Sequence, residues 1–68
     1  MKMVKSLSSR EVIEALKKAG WELDSIKGDH HHFKHTTLLG KVTVRHPVKD
    51  LSLMEIKSIE RQSAQKIR

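Results

Sequence analysis

The chain of 68 residues contains no cysteine and no tyrosine, and it has one tryptophan, one phenylalanine and one proline. Without cysteine it can form neither a disulfide framework nor a thiolate metal site. No apolar run approaches the roughly 20 residues that a membrane span needs. The first residues also lack the continuous apolar core of a signal peptide. These absences predict a cytoplasmic protein that does not associate with a membrane.

The short length limits what the chain can build. We expect residues 1–68 to form one domain, since domains usually have about 100–200 residues. Folding at this size buries only about 60% of the surface that the unfolded chain exposes. Such a core supplies about 3–5 kcal/mol of net stability. A large cofactor-binding fold is therefore excluded, and we expect neither a cofactor nor a metal.

Positive charge is in excess and is concentrated in the middle of the chain. The sequence has 14 Lys and Arg against 8 Asp and Glu, a formal net charge of +6. Residues 25–49 carry five basic side chains and one acidic side chain, a net charge of +4. The same segment holds all five histidines, namely His30, His31, His32, His35 and His46. This distribution favours a polyanionic partner, with nucleic acid as the first candidate.

Two segments carry the signals that begin a helix. Ser8 with Glu11, and Ser52 with Glu55, both match the capping box, in which each side chain bonds the other residue's backbone N–H. Gly20 is expected to end the first helix, because glycine accepts the left-handed conformation. An apolar stripe is predicted along the second helix: Leu53, Ile56, Ile59, Ser63 and Ile67.

Between the helices the apolar period falls to two, which predicts three strands. Trp21, Leu23 and Ser25 alternate with charged residues, residues 30–35 follow a turn at 27–29, and residues 41–46 alternate most clearly. Pro47 ends the last strand because it has no N–H for the ladder. The predicted fold is α+β in the order α-β-β-β-α, with a three-stranded antiparallel sheet and both helices on one face.

Strand alternation divides the middle of the chain between two faces. If Phe33 points into the core, His31 and His35 share its face, as do Val42 and Val44 of the third strand. The opposite face, here called the outer face, should then carry a basic and imidazole-bearing set: His30, His32, Lys34, Lys41, Thr43 and Arg45.

An outer face of this kind suits RNA cleavage. RNA carries its own nucleophile, the 2′-hydroxyl, so an enzyme needs only to move protons and stabilise charge on the phosphate. An imidazole with a pKa near 6.5 suits proton transfer at neutral pH. Lysine and arginine side chains can bind the phosphate and neutralise the developing charge.

Three other interpretations remain open from the residues alone. His30 and His32 project side by side and could share a Zn²⁺ ion, although further ligands would be needed. Double-stranded RNA binding domains have the same element order and bind without catalysis, by shape and phosphate contacts. Histidines on a strand can also be structural, and this is favoured for His31 and His35. Gly28 either serves only the turn or leaves room for a phosphate near His30.

Several segments follow one another in a characteristic order: Gly20-Trp21, residues 27–35 (KGDHHHFKH), residues 40–47 (GKVTVRHP) and residues 49–51 (KDL). Together they resemble HicA-family mRNA interferase toxins of type II toxin–antitoxin systems. The chain differs from the family pattern at two places. Asp29 stands where many members have serine, and Ser63-Ala64 follow Gln62 where Ala-Gly is usual.

The resemblance implies a fold like that of double-stranded RNA binding domains and a metal-independent endoribonuclease that cleaves mRNA and arrests translation. It implies a HicB-type antitoxin as partner, in a toxin–antitoxin hetero-oligomer. The family's catalytic histidine corresponds to His30, as general acid or base. The residues expected to bind RNA are Lys27, Gly28, His32, Lys34, Lys41 and Arg45.

Overall fold

The computed structural model describes residues 7–67; residues 1–6 and 68 of the predicted domain 1–68 lie outside the described residues. Its elements are α1 (Ser9–Lys18), β1 (Trp21–Lys27), β2 (His30–His35), β3 (Val42–Arg45) and α2 (Leu53–Ser63). The strands form an antiparallel sheet in the order β1-β2-β3. The predicted α-β-β-β-α fold, like that of double-stranded RNA binding domains, is confirmed. β3 is one residue shorter at each end than residues 41–46.

Both helices begin with the predicted capping boxes. The Ser8 hydroxyl accepts a hydrogen bond from the Glu11 N–H at 3.2 Å, and the Glu11 carboxylate accepts one from the Ser8 N–H at 2.9 Å. Ser52 and Glu55 form the same reciprocal pair at 3.1 and 3.0 Å. Because a good N-cap contributes about 1 kcal/mol, these pairs fix where each helix begins.

The hydrophobic core lies between the two helices and one face of the sheet, here called the inner face. Phe33, Val42 and Val44 point into it, as predicted. The whole cluster is Val12, Leu16, Trp21, Phe33, Val42, Val44, Leu51, Ile56 and Ile59. The predicted stripe of α2 is wrong at Leu53, whose side chain is 48% exposed at the first turn of the helix.

A β-bulge at Asp24 changes the face of the residues that follow it in β1. Leu23 lies opposite Phe33, but Ser25 lies opposite His32, so the register shifts by one residue between them. The prediction that Ser25 shares a face with Trp21 and Leu23 is therefore wrong. An extra residue in one strand reverses the alternation beyond it, which places Ser25 on the outer face.

Two glycines meet steric demands at the ends of β1. Gly28 has φ +60° and is the first of two residues that join β1 to β2, a position that favours glycine in a type II′ turn. Gly20 has φ +98°, and a Cβ atom there would lie 2.6 Å from Nε2 of His35. A side chain at Gly20 would therefore displace the His35 ring.

Candidate functional site

The outer face consists of rows of side chains that run across the sheet. Cross-strand pairing places His30 between Lys27 of β1 and Arg45 of β3. In the next row His32 lies between Ser25 and Thr43. Since residues directly opposite in an antiparallel sheet share a face, each of these rows forms one contiguous strip. The structure thus places His30, His32 and Arg45 together, as the alternation predicts.

His30 opens β2 and is accessible on the outer face. Its side chain is 53% exposed, and its Nδ1 lies 3.4 Å from a carboxylate oxygen of Asp29. Lys27 and Arg45 flank it on the neighbouring strands. Around Gly28 a Cβ atom would meet no heavy atom within 4 Å, so the turn beside His30 is open. The imidazole therefore combines access for a large ligand with cationic neighbours on both sides.

His32 has a defined partner within the sheet. Its Nδ1 lies 2.8 Å from the Thr43 hydroxyl, in a part-buried hydrogen bond. This bond orients the ring through Nδ1 and links β2 to β3 through side chains as well as backbone. His32 is therefore held more firmly than His30 on the same face.

Lys34 and Lys41 of the outer face share an acidic neighbour. Lys34 Nζ lies 3.7 Å and Lys41 Nζ 3.9 Å from the carboxylate of Asp24. Asp24 occupies the β-bulge, which carries its side chain onto this face. Both lysines are therefore ion-paired, and a phosphate would have to compete with Asp24 for them. Counting charge over residues 25–49 missed Asp24 because it lies one position outside that segment.

Arg45 is also paired, with a carboxylate from α2. Its Nε donates to Oε2 of Glu55 at 2.6 Å. The Arg45 side chain and then the Ser52 backbone N–H lower the pKa of Glu55 to about 2. The same hydrogen bond raises the pKa of Arg45. The capping box predicts Glu55 at the start of α2, but its distance to Arg45 depends on how the helix packs on the sheet.

A groove of about 260 Å³ runs beside His30, between the end of β3 and the first turns of α2. Sequence patterns did not predict it, since it arises where a helix packs against a sheet edge. Its lining residues come from three elements and the loop before α2: His30, Thr43, Arg45, Leu51, Glu55, Ser58 and Ile59.

The histidines of the inner face serve the fold. The His35 ring packs edge-on against Trp21, and its Nε2 donates to the Ala19 carbonyl at 3.0 Å. The His31 and His46 rings pack in a T-shaped arrangement, and Nδ1 of His46 lies 2.6 Å from the hydroxyl of buried Ser9. These contacts confirm the structural interpretation of His31 and His35.

Metal ligation and membrane insertion are two other properties that side chains and helices can show. Within residues 7–67, no three side chains of His, Cys, Asp or Glu converge in a way that would hold a metal ion. None of the helices in that range is both long and apolar enough to cross a membrane.

The described elements form a small α+β domain in the order α-β-β-β-α, with a histidine-bearing outer face on its sheet. Residues 9–64 match the family model described as the HicA toxin of bacterial toxin-antitoxin. The match spans both helices and all three strands, and the chain therefore belongs to the HicA toxin family. It is the toxin of a toxin–antitoxin system, which implies an antitoxin partner. Among the curated proteins compared with it, none matches the chain.

Proposed function

We propose that the protein is an endoribonuclease that cleaves mRNA and thereby arrests translation, with His30 as its proton-transfer residue. The observation that carries this proposal is the row Lys27, His30 and Arg45, an exposed imidazole between two cations on rigid strands. Membership in a toxin family supports it, since destruction of mRNA is one way in which so small a protein can be toxic.

The chemistry requires little from the protein because the substrate supplies the nucleophile. The 2′-hydroxyl attacks the adjacent phosphorus, its proton leaves, and the 5′-oxygen of the next nucleotide departs and takes up a proton. Asp29 lies beside Nδ1 of His30, so Nε2 is the ring nitrogen that meets the RNA. Through that atom His30 acts as general base or general acid, without a metal.

Phosphate binding falls to the cations that surround His30. Lys27 and Arg45 flank the scissile phosphate, and the backbone at Gly28 lets the RNA approach closely. Lys34 and Lys41 bind phosphates further along the strand, in competition with their ion pairs to Asp24. His32 contacts the RNA between these two groups.

The test is cleavage of a single-stranded RNA by the wild type and by His30→Ala, both in EDTA. We expect wild-type activity to persist in the chelator and the variant to lose at least about 10²-fold, the usual contribution of a general acid or base. Thr36→Ala, at the opposite end of β2, serves as the matched control and should cleave like the wild type. Undiminished cleavage by His30→Ala would contradict the role of His30.

The same experiment tests two of the alternatives that the sequence leaves open, a non-catalytic RNA-binding module and a metal-dependent protein. A non-catalytic RNA-binding module would bind the RNA without cutting it. A metal-dependent protein would lose activity in EDTA and regain it with zinc. Either result would replace the proposed mechanism.

We infer that the antitoxin is of the HicB type and that it inhibits by covering the outer face. A partner that presents acidic or polar groups there would compete directly with RNA for Lys34 and Arg45. Changes in the amide and side-chain NMR shifts of these residues and of His30 when the complex forms would support the proposal that the antitoxin covers the outer face. A complex that leaves all three exposed to solvent would contradict it.

A further inference from the structure

The groove between β3 and α2 has the composition of a site for a flat, partly polar ligand. Its floor is apolar, formed by Leu51 and Ile59, which are 4% and 3% exposed. Its rim is polar, with the hydroxyls of Thr43 and Ser58 and the carboxylate of Glu55. An apolar floor and a nearby carboxylate disfavour a phosphate. An aromatic ring with polar groups on its edge fits better, because its face can lie on the apolar floor and its edge can bond to the polar rim.

The groove adjoins the proposed site of cleavage. His30 and Arg45 belong both to the outer-face row and to the lining of the groove. An RNA whose phosphate lies at His30 would therefore have the base of a neighbouring nucleotide at the mouth of the groove. Sequence-specific recognition of RNA mostly uses single strands, whose unstacked bases can enter such pockets.

Glu55 is a fixed hydrogen-bond acceptor at the rim. Its Oε1 accepts from the Ser52 N–H at 3.0 Å and its Oε2 from Nε of Arg45 at 2.6 Å. Each carboxylate oxygen can accept a further hydrogen bond. With a pKa of about 2 the group stays ionised at neutral pH and donates none. Adenine, cytosine and guanine carry an exocyclic amino group that can donate to it. Uracil has no amino group, and its one ring donor, N3–H, lies between two carbonyl oxygens that the carboxylate repels.

We propose that this groove binds the base next to the cleaved phosphodiester and that it favours bases with an exocyclic amino group over uracil. The proposal rests on the proposed ribonuclease function and adds a determinant of sequence preference to it. Ser58 borders the space that the base would occupy, and no described bond joins it to His30. A larger side chain at position 58 would therefore fill the groove without removing a contact of His30.

The first arm measures cleavage of U-rich hexanucleotides that carry a single A, C, G or U at each position in turn. At one nucleotide position beside the cleaved bond, substrates that carry A, C or G should be cleaved by the wild type at least threefold faster than all-U RNA. Ser58→Leu should lower kcat/KM for them at least tenfold and abolish the preference. Thr36→Leu, which also replaces a hydroxyl side chain by leucine but in an exposed loop, is the control and should stay within twofold of the wild type.

The second arm measures binding without cleavage. The same hexanucleotides with 2′-O-methyl sugars lack the nucleophile, so complexes with the wild type persist. The methyl NMR signals of Leu51 and Ile59 should shift with the amino-bearing oligonucleotides, and Ser58→Leu should remove these shifts.

Far-UV circular dichroism checks that the variant Ser58→Leu is folded. If it is not, Glu55→Gln replaces it, because glutamine preserves the capping box. Its amide donates as well as accepts, so the preference over uracil should fall to less than twofold.

The outcomes separate this proposal from the proposed function. RNA cleavage that is unchanged in rate and base preference in Ser58→Leu would overturn the base-binding groove and leave the ribonuclease intact. Methyl shifts with no cleavage of any RNA would overturn the ribonuclease and retain the groove. Equal methyl shifts with all four bases would overturn the proposed preference. The absence of methyl shifts with every base would overturn the groove itself.

Discussion

His30 and His35 are the first and last residues of one strand, and their imidazoles have opposite surroundings. His35 lies on the inner face, where Trp21 packs against it and Ala19, Thr37 and Leu38 satisfy both of its ring nitrogens. The His30 side chain is 53% exposed between Lys27 and Arg45. The same residue type is thus structural on one face and available to a ligand on the other, and strand alternation decides which.

The largest expected contrast is between adjacent residues of β2. Phe33→Ala should cost about 3–5 kcal/mol, because it leaves a cavity in a core whose whole net contribution to stability is about that large. His32→Ala loses one bond to Thr43 and should cost about 1 kcal/mol. Urea denaturation followed by circular dichroism measures both. Cooperative unfolding of Phe33→Ala near the wild-type midpoint would contradict the assignment of faces.

A second prediction concerns the inner-face histidine itself. His35→Ala should lower the free energy of unfolding by about 1–3 kcal/mol, because it removes the Trp21 contact and leaves the part-buried Ala19 carbonyl without its partner. Its cleavage activity per folded molecule should remain close to that of the wild type. Thermal unfolding with a parallel activity assay makes the comparison. Wild-type stability with lost activity would reverse the proposed roles.

Smaller effects are expected from the lysines of the outer face. Lys34→Ala should weaken RNA binding severalfold and reduce the slope of log affinity against log salt by about 1, as expected for one lost phosphate contact. Lys18→Ala, exposed at the end of α1, is the matched control. A filter-binding titration over a range of salt concentrations measures both. Equal slopes in the two variants would exclude Lys34 from the RNA interface.

The smallest effect concerns the ion pair at the edge of the outer face. The folded pKa of Glu55, about 2, lies below its unfolded value. The resulting stabilisation is present above about pH 4.3 and is lost as the pH falls towards 2. The Tm difference between the wild type and Glu55→Gln should therefore shrink over this range. The exposed residue Glu14 gives the control Glu14→Gln, and a constant difference for Glu55→Gln would contradict the pairing.

Local rules predicted most of the fold. Ser8 with Glu11 and Ser52 with Glu55 mark the helix starts, and Phe33 sets the phase of β2 correctly. The alternation failed only where an extra residue interrupts it, at Asp24. No local sequence pattern predicts such a bulge, because the partner strand determines which residue stays outside the ladder.

The site was less predictable than the fold, because its electrostatics depend on tertiary contacts. Asp24 reaches Lys34 and Lys41 through the bulge, and Glu55 reaches Arg45 through the packing of α2. Both carboxylates lie outside the basic segment in sequence. Charge counted along the chain therefore overstated the positive charge of the outer face.

The comparison of the two faces is tested most directly by the single-turnover rate of RNA cleavage in EDTA, measured for His30→Ala and His35→Ala and divided by the folded fraction of each. The proposed mechanism predicts a loss of at least about 10²-fold for His30→Ala. It predicts a rate within about threefold of the wild type for His35→Ala, since that ring faces the core. Equal losses in the two variants, or a larger loss in His35→Ala, would contradict it.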